Sequence, residues 1–208
     1  MDIERPIRAE LIGALLDDFA CVEHVPLRHA LFTDRIITCD VLAIPRDDRF
    51  SGLTIAFEVK CAESAWCPSA GVTNVPFWTR AIKQAADYVY AEVVSDFDDT
   101  SLHGRRIAAS FVYPANIRRN AKSTEHDIRA WGAFEAACHL RVGRAYIQDI
   151  LGGRARCLNL YLGTELWSTG KGFSSHANGV LRGRRPLGSQ QVDLLSFFPG
   201  IDVSLNQN

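Results

Sequence analysis

The chain predicts an α/β fold in which helices flank a mixed central β-sheet. Three observations carry that expectation. Apolar residues alternate at period two across residues 53–60, and 35–45 is a strongly apolar run stopped at Pro45, which marks two strands joined by a short polar loop. Residues 77–94 and 123–143 carry apolar stripes at helical spacing, with a strand-like run between them. A chain of 208 residues that is 47% apolar can bury one sizeable core.

Each element has a local reason. "RPIRAELIGALLDDF" places Pro6 near a helix start, and Ile7, Leu11, Ala14, Leu15 and Phe19 then recur at helical spacing over 5–19. "VEHVPLRHALF" is weakly strand-like. "RIITCDVLAIP" is a strong strand stopped at Pro45, and "RDDRFSG" is a polar hairpin loop. In "SGLTIAFEVK", Leu53, Ile55, Phe57 and Val59 alternate with Thr54, Ala56, Glu58 and Lys60, the pattern of a half-buried strand. Residues 61–76 hold Ser, Gly, Pro and Asn and read as a loop. Helix 77–94 has Trp78, Ile82, Ala85 and Val89 on its apolar stripe. "DFDDTSLHG" is a turn region and "RIAASFVYP" a strand. Helix 123–143 opens on a capping-box pattern, Thr124 and Asp127, and Gly143 suits its C-terminal end. "RCLNLYLGTELW" supplies one further strand. The order is α-β-β-β-α-β-α-β, with a domain over 1–180 and a tail over 181–208.

No apolar run is long enough to cross a bilayer, and the N-terminus is charged rather than signal-like. The expectation is a soluble, cytoplasmic protein with no membrane partner. Its six cysteines form no CxxC pair, as suits buried small apolar residues in a reducing compartment. Zinc at Cys61 and Cys67 is an alternative with no standard spacing behind it. The net charge of −1 conceals an asymmetry. Acidic residues outnumber basic ones roughly two to one in residues 1–100, and the ratio reverses in 101–208. An acidic half beside a basic half suits a metal site next to a polyanion-binding surface.

Asp40 sits inside the apolar run "IITCDVLAI", where a carboxylate conflicts with burial unless it is paired or bound to metal. If residues 35–60 form a hairpin, Asp40 lies near Glu58. Two carboxylates and the Val59 carbonyl make an all-oxygen site suited to Mg²⁺ or Mn²⁺. Lys60, two residues beyond Glu58, projects to the same side and can orient a water or meet phosphoryl charge. Metal, water and phosphate together imply phosphodiester hydrolysis.

Asp40 followed by Glu58-x-Lys60 on the next strand resembles the core motif of the PD-(D/E)XK nuclease superfamily, with Cys39 in place of the proline of the motif. Gln84 and Tyr88, at i and i+4 on the following helix, resemble the Q-x-x-x-Y motif of its RecB-like and lambda-exonuclease-like branch. The resemblance covers about residues 5–115. It implies a restriction-endonuclease-like core and Mg²⁺- or Mn²⁺-dependent cleavage of DNA in repair or recombination. It also implies that Gln84 and Tyr88 support the site and that Glu10 on the first helix is an auxiliary acid at the metal. His24 is a further metal candidate, because some members use a histidine upstream of the aspartate. No iron–sulfur cluster is expected. A non-catalytic nucleic-acid- or protein-binding module on the same fold is the alternative.

The basic half then gains a task. Arg105, Arg106, Arg118, Arg119 and Lys122 flank the strand and helix after the motif and are candidates for phosphate contacts. Arg182, Arg184 and Arg185 form a second cluster. In "SQQVDLLSFFPG", Gln191, Leu194 and Leu195 resemble a short bacterial sliding-clamp-binding peptide. Gln191, Leu194, Phe197 and Phe198 resemble the longer clamp-binding box. The same apolar residues could instead close the core. Toroidal relatives make an oligomer an open expectation.

Overall fold

The structure is a computed structural model that describes residues 2–32, 34–61, 66–67, 72–73, 75–94, 99–115, 117, 125–150 and 155–182. Helix α1 (Arg5–Leu15) precedes three strands, β1 (Phe19–His29), β2 (Ile36–Pro45) and β3 (Ile55–Val59). Two short strands follow, β4 (Trp66–Cys67) and β5 (Val72–Thr73), then α2 (Val75–Val89), β6 (Ala91–Val93) and β7 (Ala109–Tyr113). The remainder is α3 (Glu125–Ala137), β8 (Val142–Ile150), β9 (Ala155–Tyr161), β10 (Glu165–Ser168), β11 (Gly172–Phe173) and α4 (Ala177–Arg182).

Nine strands make one mixed sheet in the order β11-β10-β9-β8-β7-β3-β2-β1-β6, while β4 pairs with β5 apart from it. The pairs β3–β7 and β7–β8 are parallel and the others antiparallel. The sheet curls enough for α1 to touch β1, β2 and β9. On that face Leu11 and Leu15, one helical turn apart, pack with Phe57, Val59, Phe111, Leu160 and Trp167. Burying each leucine stabilises the fold by about 1.5–3 kcal/mol. On the other face α2 and α3 cover Val112 and Val142 with Trp78, Ala81, Ala85 and Phe134.

Strand β3 lies near the middle of this sheet, and all five of its residues are buried. Ile55, Phe57 and Val59 join the α1 face. Ala56 joins a cluster with Tyr88 of α2, so the face expected to be solvated is covered as well. Glu58 is therefore 1% exposed, inside the protein.

Several expected boundaries move. The first helix ends at Leu15 rather than Phe19. Phe19 opens β1 instead, fully buried with its ring edge-on to Trp167 at 5.1 Å. The second long helix ends at Val89, and Ala91–Val93 pairs with β1 as a strand. Part of the loop expected at 61–76 forms the β4–β5 ladder. The third helix stops at Ala137, passes through a 3-10 turn, and is terminated by Arg141 in the left-handed region (φ 60°). Gly143 consequently lies in β8, a strand the sequence reading did not contain. The strand expected over 156–167 is a hairpin, β9–β10, turning at Gly163 with φ 73°. No helix among the described residues is long and apolar enough to cross a membrane. Leu181 of α4 is buried in the α1-face core, so the packed domain reaches at least that residue.

Candidate active site

Pairing sets the site. Val41 faces Phe57 at the end of the β2–β3 ladder, and Asp40 and Glu58 are the next residues beyond that pair on the two strands. The Asp40 side chain closes that end of the ladder, its Oδ2 accepting the Val59 backbone N–H at 2.7 Å. Glu58 Oε1 meets the Lys60 ammonium, and Glu58 Oε2 accepts from the Tyr88 hydroxyl. The same hydroxyl lies 3.1 Å from the Thr38 carbonyl oxygen. Asp40, Glu58, Lys60 and Tyr88 are thus one cluster at the C-terminal end of β3, drawn from two strands and a helix. Tyr88 reaches it because Trp78, Ala81, Ala85 and Tyr88 form the buried stripe of α2.

The two carboxylates resist ionisation. Burial pushes Glu58 above the usual carboxylate range, and the Asp40 charge adds to this, while Lys60 and Tyr88 pull the other way. Burial likewise raises Asp40, opposed by the Val59 N–H and Lys60 and reinforced by Glu4. Tyr88 is pushed up by burial and by the Glu58 charge, so its hydroxyl stays a donor at any ordinary pH. Two crowded carboxylates offering hard oxygen atoms fit a divalent cation such as Mg²⁺ or Mn²⁺, whose charge would relieve both burdens. They fit it as a pair: among the described residues, no group of three His, Cys, Asp or Glu side chains could hold a metal ion.

Other expected residues lie elsewhere. The Glu10 carboxylate accepts from the Tyr113 hydroxyl at 2.6 Å and pairs with Arg156 at 2.6 Å. Tyr113 and its register partner Val59 belong to the α1-face core, whereas Glu58 faces α2. Among the described residues, no hydrogen bond or ion pair joins Glu10 to Asp40 or Glu58. Gln84 is on α2 one turn from Tyr88, with its side chain exposed. Arg105 and Arg106 precede β7, at the end of the parallel β3–β7 pair remote from Glu58. There Arg105 donates to the Ser101 and Ser51 carbonyls at 3.2 and 3.4 Å, and Arg106 pairs with Glu92 at 3.8 Å. Arg118, Arg119 and Lys122 lie outside the described residues, as do the clamp-like residues Gln191, Leu194, Leu195, Phe197 and Phe198, Arg184 and Arg185. The side chain of Cys67 also lies outside the description, whereas Cys61 is buried.

Two residues that sequence reasoning passed over act on the site. Glu4, the residue before α1, and Arg8, one turn into it, both impose their charge on Asp40. Arg8 is 4% exposed and bonds Asp2 at 2.5 Å and Glu23 at 3.1 Å. Pro6 was the available signal, because a helix starting there puts its N-terminal turn, Glu4 included, at one end of the packed layer. His24 adds a backbone observation. Its flanking pairs, Glu23↔Val41 and Val25↔Cys39, set it opposite Asp40, and it adopts φ 54°, a left-handed conformation that a non-glycine residue holds at a cost. Its side chain is exposed.

The fold and site define a mixed α/β protein with a buried glutamate, a half-buried aspartate, a lysine and a tyrosine at the end of a central strand. No family model, curated protein or solved structure matches the chain.

Proposed function

We propose that the protein is a metal-dependent nuclease that hydrolyses phosphodiester bonds in DNA, with a PD-(D/E)XK-like core. The observation that carries this reading is Asp40 and Glu58 just beyond the Val41–Phe57 pair of adjacent strands, with Lys60 in contact with Glu58. The order over residues 5–115, a helix, three strands, a helix and a strand with the short β4, β5 and β6 between them, supports it, because a helix, three strands, a helix and a strand are what the motif resemblance covers.

In this reading Asp40, Glu58 and the Val59 carbonyl hold Mg²⁺ or Mn²⁺. The bound ion supplies Lewis-acid stabilisation of the phosphoryl and leaving oxygens. Lys60 orients the attacking water and offsets charge that develops on the phosphoryl group. Tyr88 holds Glu58 Oε2 while Lys60 meets Oε1, so the two fix the orientation of the carboxylate that a bound ion would share. The Glu4 charge raises the pKa of Asp40, which makes Glu4 a second candidate beside Glu10 for an auxiliary acid. Repair or recombination is the setting the resemblance implies, and the tail beyond residue 182 is the proposed tether to a sliding clamp.

The second reading is a binding module without catalysis. The saturation of Glu58 by Lys60 and Tyr88 favours it, because a carboxylate so engaged is already neutralised. Cleavage of end-labelled linear and circular DNA in Mg²⁺ or Mn²⁺ decides between them. The nuclease reading expects metal-dependent products from the wild type and a loss of at least about a hundredfold in Asp40→Ala and Lys60→Ala. It fails if the wild type cleaves nothing or the variants cleave equally well.

A further inference from the structure

The curl of the sheet brings its two ends together beside a cavity. Strands β1 and β10 stand near opposite ends of the strand order. Yet the ring of Phe19, on β1, lies 5.1 Å from that of Trp167 on β10 and 5.9 Å from that of Phe173 on β11. Phe50, in the loop between β2 and β3, stacks on Phe173 at 4.0 Å. Next to this aromatic seam is a cavity of about 270 Å³, which Trp167 and Phe173 line together with Asp18, Arg46, Arg49 and Lys171. Small-molecule sites favour the mouths of closed or curled sheets, and drug-sized ligands need upwards of about 300 Å³, so this volume suits a smaller molecule.

Trp167 carries the argument. It is 1% exposed, and its Nε1–H is buried with no acceptor among the described residues. Buried donors are nearly always paired, so this one calls for an acceptor from outside the chain, and the cavity that Trp167 lines is where one can bind. Charge around the cavity sets the sign of that acceptor. Asp47 also lines it, but the Arg49 guanidinium already engages this carboxylate at 2.6 to 3.2 Å. Lys171 reaches Glu165 only at 4.0 Å, with its side chain 74% exposed. Arg46 donates from Nε to the Leu16 carbonyl at 3.4 Å and makes no ion pair among the described residues. Arg46 and Lys171 therefore stand against Asp18 alone, and the balance favours an anion.

We propose that this cavity binds a small organic oxyanion, a carboxylate or a phosphate monoester. One of its oxygens accepts from Trp167 Nε1, its charge is met by Arg46 and Lys171, and its apolar part lies against Phe173. Arg46 is six residues beyond Asp40, about 20 Å along an extended chain. The site is therefore separate from the acid pair, and the inference stands whether or not the protein cleaves DNA.

The test is nuclear magnetic resonance of the nitrogen-15-labelled full chain, in which each of the 4 tryptophans gives one indole N–H signal. The signal lost in Trp167→Phe belongs to Trp167. Benzoate and phenyl phosphate are titrated separately, with benzamide as the neutral counterpart and sodium chloride at matched ionic strength. The expected result is a saturable shift of the Trp167 signal with at least one of the two anions, half-complete below about 1 mM, and none with benzamide or chloride. The anion that binds more tightly identifies the head group. Arg46→Gln is expected to weaken binding by at least about tenfold. Arg46 is exposed, so this substitution leaves the fold in place, which a melting curve checks. Calorimetry on the wild type and Arg46→Gln reads the same affinities without relying on Trp167→Phe to fold. The proposal is overturned if neither anion binds saturably, which would leave water as the partner of Nε1. It is equally overturned if benzamide or chloride reproduces the shift, or if folded Arg46→Gln binds as tightly as the wild type.

Discussion

Glu58 shows what one carboxylate costs in a central strand. Its pKa is raised by burial, so folding favours the protonated form. Stability from this group is fully present below the ordinary carboxylate value of about 4.3 and is lost as pH rises through the higher folded value. Asp40 shifts in the same direction and adds to the effect. Urea unfolding across pH 4 to 8 is therefore expected to show wild-type stability falling with pH. Glu58→Gln should flatten that fall and be the more stable protein at pH 8. A parallel decline in both proteins would mean that Glu58 ionises freely. Metal should act in the same place: Mg²⁺ at pH 8 is expected to raise the wild-type melting temperature and to leave Asp40→Asn unmoved. Tyr88→Phe removes the donor shared by Glu58 and the Thr38 carbonyl. The expected loss is about 1–3 kcal/mol by denaturant unfolding, because a buried acceptor is left unpaired. Gln84→Ala, on the exposed side of α2, should change stability by no more than about 0.5 kcal/mol, so any large change it makes in cleavage is a direct effect at the site.

Among the elements, β8 was the hardest to foresee and is the most informative. The run "RVGRAYIQDI" mixes charges with apolar residues, and its glycine looked like a helix terminus. Gly143 has a different task. A Cβ there would sit 2.2 Å from the Tyr161 carbonyl oxygen and 2.6 Å from the Phe111 ring. Both neighbours are core strand residues, so the strands could come this close only at glycine. Gly143→Ala is expected to cost at least about 1–3 kcal/mol in unfolding free energy. A melting curve unchanged by that substitution would show that β8 does not press against β7 and β9 as described. Helix α2, by contrast, was legible from its apolar periodicity, although the buried stripe is Trp78, Ala81, Ala85 and Tyr88 and the expected Ile82 and Val89 are only half-buried.

At the scale of the whole molecule, the sheet is wider than the sequence expectation because β8 to β11 extend it on one side and β6 on the other. Leu181 belongs to the core, so the boundary expected after residue 180 falls inside packed structure. Truncation after residue 182 is expected to keep the melting temperature within a few degrees, whereas truncation before Ala177 should lower it markedly, since Ala177 and Leu181 are both buried. A large loss from the first cut would mean that Leu194, Leu195, Phe197 and Phe198 close the core. Local periodicity was enough to determine the α/β class, the β2–β3 hairpin and the placing of Asp40, Glu58, Lys60 and Tyr88 on successive elements. These depend on residues near in sequence, whose spacing sets side-chain direction. Only the tertiary structure decided that Glu58 is buried, that Glu10 pairs with Tyr113 and Arg156, and that the Tyr88 hydroxyl meets Glu58. Those facts depend on which strands become neighbours and which face a helix covers, and no local pattern encodes either.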